Sequence, residues 1–211
     1  MSTALANLQE QLRKELNVQR GQLPAGDVSS TISLKNKKFT LPNGESNDGP
    51  MRCIILDQRW TNSYFKGKFN SADPQPPVCS AKGIDANTLA PVKNAKEPQS
   101  DSCDTCPQNE FPESGGGKPC KNGVQIAVTV ENPTEDSPVF LINMAPTSRI
   151  HFVNYVNMVQ SLGMMPVQVV TTLDFDEKES YVKLTFSNPT PHDSLLPAMA
   201  LRERAQKLLN K

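Results

Sequence analysis

Four cysteines, Cys79, Cys103, Cys106 and Cys120, stand with 23, 2 and 13 residues between them. The tight pair in Cys103-Asp104-Thr105-Cys106 can present two thiolates to one ion, and zinc favours tetrahedral thiolate coordination. A centre with all four positions filled by sulfur leaves no place for a reacting water. The pattern therefore predicts one structural zinc ion and argues against zinc catalysis. Three other chemistries use the same residue types. Two disulfides belong to oxidising compartments, a Cys-x-x-Cys redox pair belongs at the start of a helix in a βαβ unit, and an iron–sulfur cluster also takes four thiolates. A proline-rich loop in a chain without a signal-peptide pattern favours zinc. Cys53, in Arg52-Cys53-Ile54-Ile55-Leu56, is expected to be a small buried apolar residue. His151 and His192 are the only histidines, and neither is near the cluster in sequence.

A second stretch could bind rather than react. Trp60-Thr61-Asn62-Ser63-Tyr64-Phe65-Lys66-Gly67-Lys68-Phe69 interleaves aromatic and basic residues. Strand alternation puts Tyr64, Lys66 and Lys68 on one face and Phe65 and Phe69 on the core face. An exposed ring with flanking lysines suits a single-stranded nucleic acid, because bases stack on the ring while cations follow the phosphates. Trp60, Tyr64, Lys66 and Lys68 are the candidate contacts, with Arg59 and Lys183 as further cations. The plain alternative is an ordinary strand with a core face and a solvated face.

Catalytic signals are thin. Gly115-Gly116-Gly117-Lys118 lacks the spacing of a phosphate loop, and Pro119 removes a backbone donor. Asp174, Asp176, Glu177 and Glu179 cluster at an expected hairpin tip, where solvated charges are ordinary. No serine or cysteine has an evident histidine partner. The protein is not expected to be an enzyme.

The elements that must position these residues read mainly as β. Leu5, Leu8, Leu12 and Leu16 mark a helix over 3–19, followed by a linker to residue 30. Short β-like segments at Thr31–Leu34 and Lys38–Leu41 lead to a turn at Pro42-Asn43-Gly44. Met51–Trp60 predicts a strand, with Asn62–Phe69 as its antiparallel neighbour. Between Pro74 and Pro119 lie eight of the chain's 18 prolines, and no periodicity survives. A loop of that length needs something to hold it. Val124–Val130 and Val139–Met144 read as strands. Ser148–Leu162 is a helix with Phe152, Tyr155, Val156, Val159 and Leu162 on one face, capped by Thr147 or Ser148 and ended by Gly163. Val167–Phe175 and Tyr181–Phe186 form a hairpin. Residues 195–209 form a last amphipathic helix.

This order suggests an α+β, mainly β fold: an OB-like five-stranded barrel with a zinc-stapled loop insertion and flanking helices. Met51–Trp60, Asn62–Phe69 and Val124–Val130 would be the first three strands. The insertion would then lie between the second and third, and Val139–Met144 is left unexplained. The expected organisation is an N-terminal helix and linker at 1–30, the OB-like domain at 31–190 with its zinc-binding insertion at 73–120, and a C-terminal helix at 191–211.

Bulk properties set limits. The chain has 211 residues, 36% apolar and 21% charged, enough for a modest core with generous loops. Its 22 basic and 22 acidic residues cancel, which counts mildly against a non-specific nucleic-acid binder. Charge is nonetheless uneven: residues 51–70 hold Arg52, Arg59, Lys66 and Lys68 against Asp57 alone. No apolar run approaches the roughly 20 residues of a membrane helix, and a soluble protein of a reducing cytosol is expected.

The run from Trp60 through "YFKGKFNSADPQPPVCSAKG", then "PQSDSCDTCPQNEF" and "GGGKPCKN", resembles zinc-containing proteins of tailed bacteriophages in the single-stranded DNA-binding group. The later "TSRIHFVNYVNMVQSLGMMPVQVVTTLDFDEKESYVKLTF" is similar to the same group, so the resemblance covers roughly residues 50–187. It implies an OB-like fold, coating of single strands during phage replication or recombination in the cytoplasm of the bacterial host, and contacts to replication, recombination or transcription proteins. Many such proteins end in an acidic tail that recruits partners. This chain ends Leu201-Arg202-Glu203-Arg204-Ala205-Gln206-Lys207-Leu208-Leu209-Asn210-Lys211, which is basic. The competing expectation is a zinc-stabilised protein-interaction module of a phage transcription or replication complex, with little DNA affinity, using its leucine-bearing terminal helices.

Overall fold

The computed structural model of the chain describes residues 30–67, 73 and 75–211. The expected helix at 3–19 lies outside the described residues, as do Lys68 and Phe69. Strands β1 (Phe39–Thr40) and β2 (Ser46–Asn47) pair across the Pro42-Asn43-Gly44 turn, where Gly44 takes the φ of +89° that a glycine tolerates. The main sheet has six antiparallel strands: β3 (Met51–Tyr64), β4 (Cys79–Gly83), β5 (Cys120–Val130), β6 (Phe140–Met144), β7 (Val169–Phe175) and β8 (Leu184–Pro191). Helix α1 (Pro146–Ser161) joins β6 to β7, and α2 (Leu195–Leu209) follows β8.

The expected hairpin of Met51–Trp60 with Asn62–Phe69 is instead one continuous strand, β3. A tight reversal at Thr61 would need residues at positive φ, and Trp60-Thr61-Asn62 supplies none. Both edges of β3 find partners. β5 runs along one edge from Cys53↔Val130 to Tyr64↔Cys120. The other edge is shared, with β7 on Met51–Ile54 and β4 on Trp60–Tyr64.

The strand path is β6-β5-β3-β7-β8, with β4 attached to β3. The segment that the five-strand expectation left over is therefore β6, and the cysteine-bearing insertion falls between β3 and β5. Among the described residues β6 and β8 do not pair, so the sheet is not a closed barrel.

Each face carries a helix. On the inner face, Phe152, Tyr155 and Val159 of α1 pack on Ile55, Ile126, Val128, Ile142, Leu173 and Leu184. On the outer face, Ala198, Leu201, Ala205 and Leu209 of α2 cover Ile54, Leu56, Ala127 and Val170. Leu201 and Leu209 are fully buried, each stabilising the fold by about 1.5–3 kcal/mol. A bulge between Ile55 and Asp57 exchanges the faces of β3. Beyond it, Trp60, Asn62 and Tyr64 face inward, and Asp57, Arg59, Thr61 and Ser63 face outward.

Ala145 precedes helix α1 as its extended cap residue and Pro146 opens the first turn, which suits proline's fixed φ. Neither Thr147 nor Ser148 caps it. The Ser148 hydroxyl accepts the Leu184 N–H at 2.9 Å, pinning the helix to β8. Gly163, at φ +74°, ends the helix as expected. Leu162 is 56% exposed rather than in the core, because the helix closes one residue before it. The second hairpin strand starts at Leu184, not Tyr181, and runs on to Pro191. Asn188, at φ 51°, marks a bulge there. Val167 joins the α2 face rather than that of Val169 and Leu173, since Pro166–Gln168 is a 3-10 turn before the strand begins.

Candidate metal centre and nucleic-acid face

Tyr64 is the last residue of β3, and its neighbours in register are Cys79 on β4 and Cys120 on β5. Residues directly opposite across a ladder share a face, so both cysteines come to the inner side at the strand end. Cys103 and Cys106 arrive from the loop. The Cys103 N–H donates to Leu89 O at 2.9 Å, anchoring the loop beside β4. Asn109 clamps the pair: its N–H donates to Cys106 O at 2.8 Å and its Nδ2 to Cys103 O at 2.7 Å. The Asn122 Nδ2 donates to Asn109 Oδ1 and Asn62 Oδ1, both at 2.8 Å, and ties the clamp to β3 and β5.

The four cysteines are 6–8% exposed, carry free thiols and line one cavity of about 10 Å³. That is roughly the room of a single water molecule, too little for an organic ligand. Burial, followed by the nearby Cys103, Cys106 and Cys79, pushes the Cys120 thiol up to about 11. Burial raises Cys103 too, with Asn62 opposing it and Cys79 and Cys106 adding to it. The thiols are thus close enough to repel one another as thiolates. Among the described residues, however, no group of three or more His, Cys, Asp or Glu side chains is set to hold a metal ion. Coordination requires sulfur at about 2.3 Å from a common centre, whereas lining one small cavity does not. The donor set fits zinc in kind, and the thiols converge without forming a coordination shell.

Of the residues expected on nucleic acid, Tyr64 and Lys66 lie on one groove of about 720 Å³, which Phe65, Lys96 and Lys121 also line. Lys66 is exposed and pairs with Glu97 at 3.0 Å. Phe65, expected in the core, is 42% exposed, because regular alternation stops where β3 ends at Tyr64. Trp60 is half-buried. Arg149 of α1 sits 5.0 Å above its ring and Phe152 meets it edge-on at 6.3 Å.

Two cations lie elsewhere. Arg59 is 5% exposed on the outer face, where its Nε donates to Asn210 Oδ1 at 3.1 Å and its Nη1 to Gln58 O at 2.7 Å. Lys183 bridges Asp176 at 3.1 Å and Glu179 at 3.0 Å. Those hydrogen bonds hold its ammonium above the ordinary lysine value, and the bond from Lys183 holds the Asp176 carboxyl below the ordinary carboxylate value. It braces the tip between β7 and β8.

The sequence reading did not single out Asn62, Asn109, Asn122, Lys96, Lys121 or Arg149. A buried asparagine between Trp60 and Tyr64 is a signal only once Asn122 is known to stand opposite it. Beyond the end of α2 the outer face turns polar, with Thr61 and Ser63 on β3, Lys121 and Gln125 on β5, and Asn143 on β6. The Gln125 Nε2 donates to Asn143 Oδ1 at 2.7 Å.

No protein-family model, curated protein or solved structure matches this chain. Among the described residues no helix is long and apolar enough to cross a membrane.

Proposed function

We propose that this is a single-stranded DNA-binding protein of a tailed bacteriophage, which coats single strands during replication or recombination and is stabilised by one structural zinc. The observation that carries the reading is the strand order. Leaving out β4, the first strand is central and pairs with the second and fourth, the fifth pairs with the fourth, and the helix stands between the third and fourth. That is the connectivity expected of an OB-type barrel, whose second and third strands, first loop and last hairpin loop bind oligonucleotides. Here those parts are the polar stretch of β5 and β6, the cysteine-bearing loop and the Lys183 tip. Tyr64, Lys66, Lys96 and Lys121 offer a ring and cations beside them.

Cys79, Cys103, Cys106 and Cys120 would hold the zinc, which would cross-link the loop to two strands. The chain's own part is the asparagine clamp, which orients Cys103 and Cys106 toward the strand end. With four sulfur ligands the centre has no position for water, and on this reading the protein is not an enzyme.

The interaction-module reading loses one support. The apolar stripe of the C-terminal helix is consumed within the fold, against the sheet. The deciding experiment is a titration of the purified protein with single- and double-stranded oligonucleotides at several salt concentrations. Binding that prefers single strands and weakens with salt is expected. No binding to single strands at low salt overturns the proposal.

A further inference from the structure

We infer that the cavity between the end of α2 and β4 is a binding pocket for a phosphate group. It encloses about 490 Å³ and is lined by Arg59 and Lys82 from the sheet, Asp85 and Thr88 from the turn after β4, and Asn210 and Lys211 beyond α2. Thr61 and Lys82 are paired across β3 and β4, so Lys82 projects to the same outer face as Arg59.

Counted by side chain, three cations, Arg59, Lys82 and Lys211, meet one acid in this wall, Asp85. Asp85 already accepts the Asn87 N–H at 2.9 Å. Behind the wall, Asp57 contacts Arg59 and Arg202, both at 3.5 Å, so one carboxylate serves two guanidiniums. Among the described residues Lys82 has no ion-pair partner. Burial and then the Arg59 charge pull its ammonium below the ordinary lysine value, as expected of two cations facing one space without an anion between them. Asn210, Gln58 and Asp57 engage the Nε and Nη1 of Arg59 and hold it in place, which leaves its Nη2 to meet an oxyanion without reordering. Thr88 brings a neutral hydroxyl.

The phosphate could belong to a free ion, to the end of a strand or to an internal phosphodiester. The pocket itself does not depend on the protein binding DNA. Arg59 also anchors α2, so the diagnostic variant is Lys82→Glu, at an exposed position of β4, with Lys82→Arg as the conservative control. Inorganic phosphate, titrated while amide resonances are followed, should move those of Gly83, Thr88 and Asn210. Lys82→Glu should weaken that binding about tenfold or more, and Lys82→Arg should restore most of it. Oligonucleotides with and without a 5′-phosphate separate the sources. A preference for the phosphorylated strand that vanishes in Lys82→Glu supports the pocket and assigns it to strand ends. Equal weakening of both strands supports it and assigns it to internal phosphates. Phosphate binding without strand binding supports the pocket while overturning the proposed function. No shift with inorganic phosphate, or the same shift in Lys82→Glu, overturns the pocket whether or not DNA binds.

Discussion

Asn62 and Asn122 stand opposite each other on β3 and β5 and share a hydrogen bond of 2.8 Å, donated by the Asn122 amide. The same amide reaches Asn109, so one side chain links two strands to the loop that carries Cys103 and Cys106. Asn122→Ala leaves both carbonyl oxygens without this donor. A loss of about 1–3 kcal/mol in stability is expected. Groups that orient ligands typically change metal affinity by about 10–100-fold when removed, so a competing chelator should strip zinc from this variant more readily. Unchanged stability and unchanged zinc release would remove the clamp from the account.

Metal analysis of protein prepared under reducing conditions should find about one zinc per chain. Cys106→Ser should lose it and expose residues 75–119 to limited proteolysis before the rest of the chain. Disulfides in fresh protein, or no zinc at all, would refute the centre.

Tyr64→Ala should weaken single-strand binding by about 1–3 kcal/mol. Lys121→Ala should flatten the salt dependence by about 0.7 per lost phosphate contact. Lys66→Ala should do less, since its ammonium already pairs with Glu97. Phe65→Ala should leave thermal stability nearly unchanged, because the ring is 42% exposed. Affinity unmoved by both Tyr64→Ala and Lys121→Ala would take the DNA face away from this groove.

Leu201→Ala should destabilise the fold by about 2–5 kcal/mol, measured by urea unfolding. Leu196→Ala, one turn away but 84% exposed, should change it by less than about 0.5 kcal/mol. Equal effects would mean that α2 does not dock as described.

Asp176 titrates below the ordinary carboxylate value of 3.8, chiefly through its hydrogen bond from Lys183. A depressed acid stabilises the fold above its unfolded value and loses that contribution as pH falls through its folded value. Unfolding midpoints should therefore drop as pH falls below about 4, and Lys183→Met should shrink this acid-range drop. An identical profile in both proteins would show that the pair carries no linkage.

How much was legible in the sequence depended on whether the signal was local. Both helices and the far end of β7, at Phe175, show in their periodicity, and Gly163 marks a real stop. The cysteine spacing put Cys79 and Cys120 in one group of four, and β3 brings these two to one level. What failed required knowledge of pairing. Nothing in Trp60-Thr61-Asn62 says that β4 and β5 will hold it straight, so one strand was read as two. Alternation was then carried past Tyr64, where pairing ends, and Phe65 was put inside. That Arg59 turns toward α2 was not legible either, because the bulge that redirects it arises from register with β5.

The divided edge of β3 has a consequence for how the molecule comes apart. Below the bulge, β3 is locked between β5 and β7 under two helices. Above it, the strand is held by β4, by β5 and by a loop with little apolar packing of its own. Trp60 packs both on the main core and on the small cluster of Ala81, Leu89 and Cys103, so only the strand end beyond it, residues 62–64, can open with the cysteine loop as a separate cooperative unit while the helical layers stay closed. Amide exchange along this single strand would then show two rates, with the change falling just beyond Trp60.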